Sequence, residues 1–171
     1  MTNYRYMDQW NPRSLRPLGG RPYLSESEAR ERYERDGNAF DVIPEPASET
    51  GVPAWHMRVF TGDGSFKVKH YNKHGATTRV VGFRIREGQL RNDSVIDYFY
   101  PDGEEARRGT ITSSIITTYI EPDGTSKIIY SNVIPGQEYT EERRGVPVDS
   151  YRASRPEFGQ WEELANPNYG S

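Results

Sequence analysis

Between Ala54 and Ile134 the chain alternates apolar and polar residues in short runs, and turn-forming residues break the runs at close intervals. Alternation of period two cut by tight turns fits consecutive antiparallel strands better than any helical arrangement. The turns also fix how the strands face one another. Gly62-Asp63 reads as a two-residue hairpin with positive φ at its centre. Pairing Thr61 with Gly64 sets Val59 opposite Phe66, Met57 opposite Val68 and Trp55 opposite His70. Lys73-His74-Gly75-Ala76 fits a four-residue loop closed by Asn72 and Thr77, which sets Phe66 opposite Phe83, Val68 opposite Val81 and His70 opposite Arg79. Both turns select one apolar face, made of Trp55, Met57, Val59, Phe66, Val68, Val81, Phe83 and Ile85, with Lys67 and Lys69 on the other. A slip of one residue would turn that whole set to solvent, so the agreement is informative.

Two later turns share the signature x-Pro-Asp-Gly, at Tyr100–Gly103 and Glu121–Gly124. Proline presets φ, aspartate bonds its own backbone and glycine accepts the left-handed position. They join Ser94–Tyr100 to Glu104–Ile120, and that run to Thr125–Ile134, with a bend expected at Gly109 in the long middle strand. Six or more twisted strands in a meander close into a barrel or fold over as a sandwich. The expected fold is therefore mainly β: a meander closing into a small calycin- or lipocalin-like barrel, with a β-sandwich as the alternative, and one N-terminal surface helix.

The remaining segments frame this sheet in what reads as a single domain, 1–171. Residues 1–23 form an extended basic arm, anchored by Tyr4, Tyr6 and Trp10, that wraps the sheet. The helix spans 25–36: Ser25 and Glu28 make a capping box, and Gly37 stands where a left-handed residue ends a helix. Glu26–Arg30, Glu28–Arg32 and Glu31–Arg35 are ordered as favourable ion pairs. Ala39–Ile43 reads as a short edge strand, and Gln137–Arg144 as a last strand of a sheet running over 54–143. Residues 145–171 are an irregular, proline-rich flap whose Trp161 and Leu164 would dock a short helix onto the outside of the sheet.

Composition narrows the function classes. With no cysteine there is no disulfide framework, thiolate metal site or cysteine nucleophile. A net charge of −3 argues against a nucleic-acid partner, because phosphate-backbone binding needs a basic surface. No apolar run is long enough for a leader or a membrane span, so a cytoplasmic protein is expected, without membrane contact.

The chemistry should then lie on the inward face. Of three histidines, His74 falls in a loop and His56 points outward with Arg58, which leaves His70, with Arg79 beside it. A histidine can act as general acid or base, and an arginine can hold a carboxylate or a developing enolate. Asp97 is the third catalytic candidate if it faces inward; the competing reading pairs it across the strands with Arg107. Trp55, Phe83, Tyr98 and Tyr119 would line the ligand site. The spacing of His70 and His74 makes a metal pair only on a helix, so neither metal nor cofactor is expected. These residues point to a small-molecule barrel with an anionic ligand: a binding protein, or a cofactor-free lyase, isomerase or cyclase. The alternative is a non-catalytic protein that binds a partner chain or a second copy of itself.

Overall fold

The computed structural model describes residues 3–35, 37–45 and 50–169. Its strands are β1 (Tyr4–Met7), β2 (Trp10–Asn11), β3 (Arg16–Pro17), β4 (Phe40–Pro44), β5 (Trp55–Phe60), β6 (Ser65–Tyr71), β7 (Thr77–Arg86), β8 (Gln89–Phe99), β9 (Ser114–Ile120), β10 (Ser126–Ser131) and β11 (Glu138–Arg143), with helix α1 at Glu26–Glu34. Nine strands form one antiparallel sheet in the order β1-β4-β5-β6-β7-β8-β9-β10-β11, and β2 and β3 form a separate ribbon. The expected register holds across β5, β6 and β7: Trp55 faces His70, Val59 faces Phe66, Phe66 faces Phe83 and His70 faces Arg79.

Turn detail differs from the expectation in instructive ways. Positive φ falls on Gly64 (67°) rather than on Gly62, because the connection after Phe60 is four residues long. A bulge at His70/Tyr71 closes the next loop one residue early. Ile85, assigned to the apolar face, is 45% exposed, because it lies beside the hairpin tip where Glu87 and Gly88 both take positive φ. The long strand expected over Glu104–Ile120 is present only from Ser114, and Gly109 (φ 87°) belongs to an irregular crossing rather than to a bent strand. The segment at Phe40–Pro44 is internal, with β1 of the basic arm paired outside it.

The sheet does not close into a barrel. β1 and β11 are its two ends, and no ladder joins them among the described residues. Two contacts explain this. The free side of β1 is occupied by Leu24, whose N–H donates to the Tyr6 carbonyl (2.8 Å). The concave face that a barrel would enclose is filled by the chain's own C-terminal segment. Trp161 and Leu164 are wholly buried there rather than docked outside, and the expected short helix is replaced by a turn over residues 162–165, with Trp161 just before it.

That face is the core. One row of cross-strand neighbours, Tyr6, Val42, Met57, Val68, Val81 and Val95, crosses six strands and is buried throughout. Phe40, Val59, Phe66 and Phe83 form the next row. Over them lie Ala29 and Tyr33 of α1 and the C-terminal aromatics, with Tyr33 edge-on to Trp161 at 5.4 Å and Tyr169 edge-on to Phe83 at 4.9 Å. The α1 capping box is present. Its charge pattern is partly redirected: Arg32 bonds Asp8 (2.7 Å) instead of Glu28, whose carboxylate serves the cap. Gly37 donates its N–H back to the Arg32 carbonyl (2.8 Å) and does not take positive φ; Asp36, before it, lies outside the described residues.

Candidate functional site

The residues expected to carry chemistry divide between the two faces of the sheet. Trp55, His70, Arg79 and Asp97 are successive cross-strand partners in one row at the margin of the core face. His70 is 6% exposed, and its Nε2 has no hydrogen-bond partner. Burial, and then the nearby Arg79 guanidinium, push it down to about 4, so it is neutral at pH 7. Arg79 Nε lies 3.6 Å from Asp97 Oδ1. Burial raises the Asp97 carboxyl and Arg79 pulls it back. The partner of Asp97 is thus Arg79; Arg107 sits elsewhere, bridged to Gly75. Phe83 is wholly buried under Tyr169, while Tyr98 and Tyr119 project from the opposite face, level with Ile96 and Ser94. His70, Arg79 and Asp97 line neither of the two concavities on the opposite face of the sheet.

The second face holds a different constellation. Asp41, Arg58, Lys67, Gly82, Ser94 and Tyr119 are successive partners across β4 to β9, and His56, Lys69, Val80 and Ile96 form the row beside them. The ribbon β2–β3 covers the first end of these rows, with Trp10 packed against Met7 and Ile43. Asp41 is therefore buried, at 1% exposure. It accepts the Trp10 backbone N–H (2.6 Å) and Arg58 Nη1 (3.1 Å), and Arg58 Nη1 also donates to the Asp8 carbonyl (2.8 Å). Burial raises the Asp41 carboxyl against the pull of these donors.

His56 lies between Asp41 and Tyr71. Its Nε2 is 3.8 Å from Asp41 Oδ2, and its Nδ1 is 2.8 Å from the Tyr71 hydroxyl, with the two rings stacked. Burial first, then Lys69 and Arg58, push His56 down to about 3. The neutral ring that follows carries its proton best on Nε2, toward the carboxylate, which leaves Nδ1 to accept from Tyr71. Burial holds the Tyr71 phenol well above its ordinary value. The sequence sent His56 outward, and relative to the core it is outward. What sequence reasoning missed was that the arm covers that side, together with Asp41 and Tyr71. The available signal was parity: both share the face of Lys67 and Lys69.

Two concavities lie over these rows. One, of about 270 Å³, is lined by Gln9, Trp10, Asp41, His56, Arg58 and Lys69, with Phe60 and Lys67 at its rim. The other, of about 390 Å³, runs from Phe60 and Lys67 over Val80, Gly82 and Ile96 to Tyr119. Phe60 and Lys67 line both, so the two adjoin as a trough that is basic at one end and, at the other, sets Val80, Ile96 and Tyr119 beside Asp63, Arg84 and Asp93. Its floor stays low because residue 82 is a glycine: a Cβ there would collide with Ser94 Oγ. A bulge at Gly82/Phe83 inserts Asp93, and Asn92 Nδ2 holds it by donating to the Gly82 carbonyl (2.9 Å). Among the described residues, Lys67 and Lys69 have no carboxylate within ion-pair distance, and no three metal-ligating side chains converge.

Comparison with family models, with curated proteins and with solved structures gives no match to this chain. No helix among the described residues is long and apolar enough to cross a membrane.

Proposed function

We propose that this chain is a small-molecule-binding protein whose ligand lies in the trough on the second face of the sheet. The observation that carries the reading is the trough's two-part lining: cations at one end, Val80, Ile96 and Tyr119 at the other, on a floor of paired strands. Concave sites with an apolar wall and a few convergent polar groups are the usual form of small-ligand sites. An anionic ligand would meet cations here, and Tyr119 is among the lining residues. A cofactor-free lyase or isomerase built on His70 and Arg79 would instead need a ligand on the core face. A thermal-shift screen against a metabolite library tests the reading. A ligand that raises Tm should lose its effect in Lys67→Ala, whose side chain both concavities share. Hits indifferent to Lys67→Ala but abolished by Arg79→Met would move the site to the core face.

A second reading has an observation of its own. Phe99, Ile111, Val133 and Ile134 are 43–85% exposed where β8, β9 and β10 end together. Apolar side chains left outside at one end of a sheet suit contact with a second copy of the chain. Light scattering of the purified protein decides it: a dimer that Ile111→Glu converts to a monomer supports this reading, and a monomer at all concentrations removes it.

A further inference from the structure

The basic end of the trough has a charge and donor inventory that narrows its ligand further, and the argument rests on the trough being the binding site. Arg58, Lys67 and Lys69 line that end, and among the described residues Asp41 is the only carboxylate lining it. His56 beside them is neutral at pH 7. Three cations against one carboxylate leave two positive charges without an internal counterion. Lys69 is half-buried; burial and Lys67 lower its affinity for a proton, and the Asp41 carboxylate offsets this only in part. An ammonium held part-way out of water next to other cations is costly unless an anion joins it.

The donors tell the same story independently. Both internal bonds of Arg58 use Nη1, so Nε and Nη2 remain for an outside acceptor. Trp10 is 4% exposed, lines the cavity, and its indole Nε1 has no hydrogen-bond partner. A buried donor left unsatisfied is costly, and an oxyanion brought up to it would remove that cost.

We infer that the basic end binds a dianionic oxyanion, the phosphate of a small phosphomonoester, with Arg58, Lys67, Lys69 and the Trp10 indole as its donors. The organic part of the ligand then extends over Val80 and Ile96 to Tyr119. A monocarboxylate would neutralise half of the excess charge and offer fewer acceptors than there are donors. Arginine and lysine together suit a phosphate, one as a planar fork and the other as a point charge.

Phosphomonoesters occur as free metabolites and as lipid headgroups, and the inference is for the free form, because the ribbon β2–β3 roofs the basic end. The test titrates the full chain, at neutral pH and low salt, with phenyl phosphate, inorganic phosphate, benzoate, benzyl alcohol and vesicles containing phosphatidic acid. Binding is read by calorimetry and tryptophan fluorescence. Phenyl phosphate should bind about tenfold or more tightly than benzoate, and Lys69→Met should lose about tenfold of that affinity, as for one charge-assisted contact. Lys69→Met is nearly isosteric, and the exposed Lys67→Met provides a second variant if the first unfolds. Benzyl alcohol binding as tightly as phenyl phosphate would overturn the dianion while leaving the trough as a binding site. A response to vesicles alone would overturn the free-metabolite form. Binding by none of the probes would overturn the inference.

Discussion

His56 and His70 are nearly equally buried, at 7% and 6% exposure, on opposite faces of one sheet, and their surroundings separate them. His56 is held between Asp41 and Tyr71, whereas His70 faces a guanidinium and leaves its Nε2 without a partner. Both are depressed from 6.5, to about 3 and about 4. At pH values between those and 6.5 the unfolded chain binds protons that the folded chain refuses, so folding stability is full above about pH 6.5 and is lost as pH falls. Asp41 and Asp97, both raised, act in the opposite sense, since the folded chain takes up their protons first. His56→Gln should therefore flatten the acid side of the stability profile between about pH 4 and 6. The slope should fall by up to about 1.4 kcal/mol per pH unit, the full effect of one proton. Urea unfolding at a series of pH values measures this, and an unchanged slope would show that His56 takes up its proton as easily folded as unfolded. The sequence gives the faces of these histidines through strand parity. It does not give their burial, which depends on a ribbon and a C-terminal segment distant along the chain.

At the scale of elements, local signals were legible wherever a local contact decides the structure. The α1 cap is the clearest case: Ser25 Oγ accepts from the Glu28 N–H, and Glu28 accepts the Ser25 N–H in return (2.8 Å). Ser25→Ala should cost about 1 kcal/mol in chemical unfolding, with the sheet unchanged by near-UV circular dichroism. A cost near zero would remove the cap from the account. The register of β5, β6 and β7 was legible for the same reason, since two turns independently demand it. The stretch from Glu104 to Ser113 was not. Asn72 Nδ2 bonds the carbonyls of Glu104 (3.0 Å) and Ala106 (2.7 Å), and Arg108 N–H reaches the His74 carbonyl, so this stretch closes the β6–β7 loop instead of extending β9. Nothing in its own alternation reveals a partner thirty residues upstream.

At the scale of the molecule, turn chemistry yields a meander, but closure depends on what fills the concave side. Here that is Trp161 and Leu164 rather than a ligand or the facing strands. Trp161→Ala should cost about 3–5 kcal/mol, the usual result of emptying a large core position. A loss below about 1 kcal/mol in urea unfolding would mean that the segment lies loosely on the sheet. With the core face filled by the C-terminal segment, the proposal puts the ligand on the opposite face, in the trough across β4 to β9. An amide-resolved NMR titration of the isotopically labelled chain with phenyl phosphate locates the ligand. The largest shifts are expected at the Trp10 indole N–H and at the Arg58, Lys67, Lys69 and Gly82 amides. Shifts concentrated instead at Trp55, His70 and Arg79, with the trough unmoved, would contradict that placement.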